Sequence, residues 1–241
     1  MQTVVLAGGL GTRLRPVTLT VPKPMVPVGE HPFLEYIVTH LARQGFCDIV
    51  LLVGYLGHLV EEHFRDGKDF GVSIRYGYED RPLGTAGALR KALDLLDPEF
   101  LLLYGDSLLP IDYRELARRF RDTAAADAMA VIYDNRYGDT DVKGNIEVDT
   151  DGCVLRYEKG STGPALPYVE AGVLCLRRSL IEPLPLGIPV GLESGLYQEL
   201  ISKRRMWSFA TTQRFYDIGT PGRLQEALSI SRCLFPVRHS A

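Results

Sequence analysis

The chain's first strand runs straight into glycines. Thr3 to Leu6 is apolar and β-branched, and it leads into Ala7-Gly8-Gly9-Leu10-Gly11-Thr12-Arg13-Leu14-Arg15-Pro16, with Pro22-Lys23-Pro24 a few residues on. Two readings fit such a stretch. One is a tight turn after a strand. The other is a cradle in which bare glycines let backbone N–H groups approach a phosphate while Arg13, Arg15 and Lys23 supply charge. A dinucleotide fingerprint does not fit: Gly9-x-Gly11-x-x-Leu14 lacks the third glycine, and prolines interrupt the place of the first helix. The acid expected about 20 residues on has only Glu30 to offer, behind a proline-rich segment. A Walker loop is excluded as well, since no Gly-Lys-Ser or Gly-Lys-Thr follows the glycines.

Beyond the loop, apolar spacing alternates between helical and strand periods. Pro32 opens a helix with Phe33, Leu34, Ile37, Val38 and Leu41 inward, and Gly45 closes it. Strands follow at residues 49–53, 72–76 and 100–103, separated by helices at 56–64 and 86–96, the latter with Thr85 in the capping position. Asp112 caps an amphipathic helix to Arg121 that turns Leu116 and Phe120 inward and Arg118, Arg119 and Arg121 to solvent. After a strand at 129–133 the texture changes. Gly144 to Asp149 alternates, Asp151-Gly152 makes a hairpin turn, and 154–158 returns as a strand. A strand at 168–176, a helix at 192–201, a strand at 206–210 and a last helix with Thr220 as cap and Pro221 in its first turn complete the chain, with 235–241 as a tail. Alternating strands and helices predict a mostly parallel sheet that binds its ligand at the carboxyl ends of its strands.

Composition narrows the function classes. A net charge of −3 over 241 residues gives no basic excess for a nucleic-acid partner. Cys47, Cys153, Cys175 and Cys233 are far apart with no Cys-x-x-Cys pair, so neither a zinc site nor a disulfide framework is indicated. No apolar run approaches a membrane span, and Met1-Gln2-Thr3 enters a strand without the regions of a signal peptide, so a cytoplasmic protein is expected.

The pattern from Leu6 to Pro27, Gly-Gly-Leu-Gly-Thr-Arg-Leu-Arg-Pro followed by Lys-Pro, resembles the nucleotide-binding motif of the sugar-1-phosphate nucleotidyltransferases. Four further motifs agree with that family in order: Glu79-Asp80-Arg81-Pro82-Leu83-Gly84-Thr85-Ala86-Gly87, Gly105-Asp106 at the end of an apolar strand, Glu158-Lys159, and Asp217-Ile218-Gly219-Thr220-Pro221. The resemblance implies one nucleotidyltransferase domain over 1–241. Its Rossmann-like sheet would be flanked by helices, with a nucleotide-binding part at 1–134. The part at 135–241 would carry an antiparallel insertion on the sugar side of the cleft. It implies nucleotide binding by Leu6, Ala7, Gly8, Gly9, Gly11, Thr12, Arg13, Pro82, Gly84, Thr85 and Asp106. It further implies catalytic roles for Arg13 and Lys23 on the triphosphate and for Asp106 and Asp217 as the carboxylates holding magnesium. Gly144, Glu158, Lys159 and Glu170 would meet the sugar phosphate. A sugar phosphate is already a nucleophile, so none of the five histidines is needed.

The Pro-Leu-Gly-Thr-Ala-Gly form and Pro32-Phe33-Leu34-Glu35-Tyr36 are similar to heptose- and mannose-1-phosphate guanylyltransferases, which favours GTP and a heptose or hexose 1-phosphate. A uridylyl- or thymidylyltransferase for a hexose or aminosugar phosphate is the alternative. A nucleotide-sugar-binding regulatory homologue is the alternative of another class. Three departures from the family bear on that choice: Tyr104 where asparagine or glycine is usual, Gly160 in place of proline, and Glu170 in place of a small polar residue. Glu170 reads either as an acceptor for sugar hydroxyls or as half of a structural salt bridge. Family members are often dimers or tetramers, and Leu228 and Leu234 of the last helix suit an interface or the core equally.

Overall fold

The computed structural model describes residues 1–160 and 162–234, with side chains to residue 229. The expected tail and the side chain of Leu234 lie outside the described residues. One seven-stranded sheet organises the rest. Its strands are β1 (Gln2–Ala7), β2 (Asp48–Val53), β3 (Ser73–Tyr78), β4 (Glu99–Tyr104), β6 (Ala128–Tyr133), β9 (Val169–Arg177) and β10 (Met206–Thr211), in the order β10-β6-β9-β4-β1-β2-β3. The pairs β1–β2, β1–β4, β2–β3 and β6–β10 are parallel, and β9 alone runs against its neighbours β4 and β6. The sheet is therefore the mostly parallel one expected from the alternation of elements.

Its strands are apolar on both faces because both faces are covered. Val5, Leu101 and Leu103 join one core with α1 (Phe33–Arg43), α2 (Gly57–Phe64) and α4 (Tyr113–Asp122). Val4, Phe100 and Leu102 join the other with α3 (Gly84–Lys91), Tyr197 and Leu200. Helix α1 buries the five apolar residues that its spacing marked and ends where Gly45 turns left-handed at φ 81°. Asp112 caps α4 as expected, accepting from the Arg114 N–H at 2.9 Å, and Leu116 and Phe120 are fully buried.

The insertion is present: β7 (Ile146–Val148) and β8 (Val154–Tyr157) form an antiparallel hairpin bridged to the sheet's surroundings at Tyr168 and Trp207. A short ladder of β5 (Ser107–Leu108) and β11 (Tyr216–Asp217) follows the end of β4, and α6 (Pro221–Leu234) closes the described chain. Thr220 caps α6, accepting from the Arg223 N–H at 3.4 Å. Leu228 is half-buried against the core.

Three local expectations are corrected. Thr85 does not cap a helix. Helix α3 starts two residues earlier than expected, at Gly84 (φ 72°), and the Thr85 hydroxyl accepts instead from the Leu192 N–H at 2.7 Å. The expected helix at 86–96 stops at Lys91 and resumes as a tighter turn, Leu93–Leu95. The helix at 192–201 is likewise two pieces: a π-turn at Glu193–Tyr197 leads into α5 (Gln198–Ser202).

Candidate active site

At the carboxyl ends of β1, β2 and β4 lies a cavity of about 340 Å³. Leu6, Ala7, Gly8, Gly9 and Leu10 form one wall, and Pro82, Gly84 and Thr85 form the facing one. Lys23, Tyr104, Asp106 and Lys159 line it too, with Glu79, the first residue of the segment that resembles the second nucleotide loop, and Glu193, which no sequence motif marked. Close neighbours explain some of the glycines. A methyl group on Gly8 would overlap the Glu79 carboxylate and sit 3.3 Å from the Gly54 nitrogen, whereas Gly9 has open space on that side. Gly11 is left-handed at φ 61°, and its carbonyl is pinned by the Thr18 hydroxyl at 2.8 Å. Thr12 and Arg13 then enter a tight turn anchored by buried Leu14. On the other wall, a methyl on Gly84 would come within 2.6 Å of the Val190 carbonyl. That carbonyl already accepts from the Ala86 and Gly87 N–H groups at 2.9 and 3.0 Å, so these α3 amides are satisfied within the protein.

The β5–β11 ladder brings together carboxylates that are far apart in sequence. Asp217 pairs with Ser107, and the Ile218 N–H donates to the Asp106 carbonyl at 3.1 Å. Each carboxylate is held by a cation. Buried Lys23 contacts Asp106, while Arg223 reaches both oxygens of Asp217 at 3.1 and 2.8 Å and the Gly219 N–H donates to it at 2.6 Å. Arg13 makes no hydrogen bond or ion pair among the described residues, and its guanidinium lies beside Gly219. The donor set suits magnesium, a hard cation that takes one or two carboxylates together with phosphate and water oxygens.

The sugar-side candidates divide. Lys159 lines the cavity and meets Glu193 from the π-turn. Glu158 is not among the lining residues and pairs with Arg156 at 3.0 Å, as adjacent exposed charges on a strand end do. Gly144 is not a lining residue either. It lets two backbone segments meet, because a methyl there would overlap the Leu166 carbonyl oxygen. Glu170 stands behind Tyr104, and its Oε2 accepts from the Tyr157 hydroxyl at 3.2 Å. Burial pushes its carboxyl up to about 7; nearby Lys159 opposes the shift and Glu193 adds to it. Among the described residues it forms no ion pair, which removes the salt-bridge reading. Among the described residues its buried Oε1 has no hydrogen-bond partner, and the Tyr104 and Tyr197 hydroxyls are buried close to one another.

Glu79 opens the segment that resembles the second nucleotide loop, but sequence alone assigned it no role of its own. It follows the last residue of β3, its Oε2 accepts from the Leu83 N–H at 3.1 Å, and its Oε1 lies against Gly8. Burial raises its pKa, opposed first by the Leu83 N–H and then by Lys91. An acid before a Pro-Leu-Gly turn looks like ordinary loop polarity; its only signal was its place between two glycine loops.

Known proteins share this arrangement over most of their length. The sequence pattern of the nucleotidyl transferase family matches residues 2–229. The D-glycero-alpha-D-manno-heptose 1-phosphate guanylyltransferase of Campylobacter jejuni is 31% identical over 92% of this chain and 96% of its own. A mannose-1-phosphate guanylyltransferase of Mycobacterium tuberculosis is 30% identical over 92% of this chain and 62% of its own. Among solved structures, HddC from Yersinia pseudotuberculosis complexed with GMP-PN superposes with a TM-score of 0.76 at 26% identity, covering 95% of this chain and 98% of that one.

Proposed function

The chain belongs to the nucleotidyl transferase family, and from that premise we propose that it joins GTP to a heptose or hexose 1-phosphate, giving a GDP-sugar and pyrophosphate. The observation that carries the base is Glu79. A carboxylate accepts hydrogen bonds and gives none, and the pairing edge of guanine presents two adjacent donors, the ring N–H and the amino group. Uracil and thymine present one N–H between two carbonyls, which a carboxylate repels. Held at the cavity wall by Gly8 and the Leu83 N–H, Glu79 selects the two-donor edge. The relatives that use GTP support the same choice.

The chemistry then follows from charge. An oxygen of the sugar phosphate attacks the α-phosphorus in line, the bond from that phosphorus to the bridging oxygen breaks, and pyrophosphate leaves with the electron pair. From the cavity lining Lys159 holds the sugar phosphate, Lys23 holds the triphosphate and the Gly8–Gly9 backbone fixes its path, while Arg13, outside that lining and beside Gly219, reaches the triphosphate from the β5–β11 side. Positioning and neutralisation are the whole of the protein's task, because the nucleophile arrives already ionised. Asp106 and Asp217 would hold a magnesium ion, which when bound supplies further neutralisation of the phosphates. Among the described residues no helix is long and apolar enough to cross a membrane; the cytoplasm, where nucleoside triphosphates are made, is the compartment this reading implies.

The test is pyrophosphate release with magnesium, crossing GTP, UTP, dTTP, CTP and ATP with heptose, mannose, glucose and N-acetylaminosugar 1-phosphates. Release with GTP and a heptose or mannose phosphate is expected. Release confined to UTP or dTTP would refute the base assignment, and product binding without turnover would indicate the regulatory homologue.

A further inference from the structure

Asp217 is bracketed by two guanidinium groups, of which Arg223 was not marked by any motif. A methyl group built on Gly219 would lie 2.6 Å from Asp217 Oδ1, 3.4 Å from Arg223 Nη1 and 3.7 Å from Arg13 Nη2, so all three groups face one point. Arg13 is free there among the described residues, while Arg223 is committed through Nη1 to both Asp217 oxygens. The fork of Arg223 is nonetheless only partly used: its Nε is buried and has no hydrogen-bond partner among the described residues. Such a group has donor capacity that Asp217 does not fill. Lys23 stands in the same relation to Asp106 across the β5–β11 ladder.

We propose that Arg223 is a catalytic residue that shares the departing pyrophosphate with Arg13, and that Asp217 keeps it parked until a divalent cation takes that carboxylate. This rests on the nucleotidyl-transfer reading of the site. Without a cation, the Arg223 charge compensates a carboxylate that is otherwise nearly buried, its side chain being 10% exposed. Once Asp217 turns to the cation, the guanidinium is released a few ångströms from Arg13, and the pair forms a fork for the tetrahedral phosphates. Arg223 therefore has two opposite effects. It competes with the metal for Asp217 and it strengthens the hold on pyrophosphate.

Those opposed signs make the test. Inorganic pyrophosphate is titrated calorimetrically into the intact protein at saturating magnesium, and Mn²⁺ is titrated into the protein alone with the free ion counted by its EPR signal. Arg223→Gln should bind pyrophosphate about tenfold more weakly and Mn²⁺ several-fold more tightly, on the order expected for one charge-assisted contact. Asp217→Asn should weaken Mn²⁺, which ties the signal to this site. Arg223→Lys keeps the charge but not the fork, and it should still lose about fivefold in pyrophosphate affinity. Pyrophosphate affinity unchanged in Arg223→Lys would overturn the proposal in favour of a general field effect. Weakening of both ligands in Arg223→Gln would overturn it in favour of a purely structural ion pair. Both titrations are independent of turnover, so a wild-type protein inactive with every sugar phosphate would refute the reaction without touching this result.

Discussion

Replacing Glu79 with glutamine changes two hydrogen-bond signs and almost no volume. In the wild type, Oε2 is occupied by the Leu83 N–H at 3.1 Å, which leaves Oε1, against Gly8, to meet the base. In Glu79→Gln the amide oxygen keeps the Leu83 N–H, and the amide NH₂ takes the place of Oε1. Two donors of guanine then face a donor, and their hydrogen bonds to the half-buried carboxylate are lost. Hydrogen bonds to a charged group are worth about 1.5–3 kcal/mol each, and part of that is regained by rotation or water. A net loss of about 2–3 kcal/mol corresponds to a fall of roughly 30- to 150-fold in kcat/KM for GTP. UTP gains a donor for its carbonyl and should fall little or rise. The assay is pyrophosphate release under kcat/KM conditions with each triphosphate, alongside circular dichroism to show an intact fold. A GTP value within threefold of wild type would refute the assignment of Glu79 to the base.

Three more outcomes follow from the geometry. Glu170 has its folded-state pKa raised from an ordinary 4.5 to about 7 by burial, so the stability tied to its protonated form is complete below pH 4.5 and is lost as pH rises through about 7. Glu170→Gln should therefore match wild type near pH 4.5 and exceed it by about 2–3 kcal/mol above pH 8; parallel urea midpoints across that range would sink the account. Gly144→Ala would place a methyl group onto the Leu166 carbonyl oxygen, a backbone atom that cannot rotate away, and should destabilise the fold by about 1–3 kcal/mol in urea unfolding. Asp106→Asn and Asp217→Asn should fold normally and lose turnover; full activity in either would remove it from the catalytic machinery.

Much of the fold was legible because its strands are buried on both faces, and their apolar runs are therefore continuous and bounded by glycine and proline. Val50 to Val53 and Phe100 to Leu103 are of this kind, each residue no more than 3% exposed. The glycine loops were legible for a related reason: the Glu79 carboxylate at Gly8 and the Val190 backbone at Gly84 leave no room for a side chain, and a motif records that. Single acids carry no such signature. Glu79, Glu193 and the cation Arg223 gain their meaning from residues distant in sequence, Gly8, Lys159 and Asp217's strand ladder among them. Thr85 has the chemistry of a cap, and only the approach of Leu192 diverts it. The burial of Glu170 was hidden too, since three tyrosines from separate elements surround it.

Strand β9 is the one strand that runs backwards, and it sits in the middle of the sheet rather than at an edge. β6 and β10 touch the rest of the sheet only through it. A chain emerging from the ribosome can assemble β1 to β4 from near neighbours, but β6 must wait with an unpaired side until residues 169–177 arrive and zip both seams at once. Loop closure of that length is slow relative to local pairing. That side of the sheet is thus completed late, by β9 and then by β10 on the far side of β6, and Glu170 lies on β9. A nascent protein would hold a formed nucleotide loop before it has anywhere to put a sugar, so competence to bind GTP should precede competence to transfer it during synthesis.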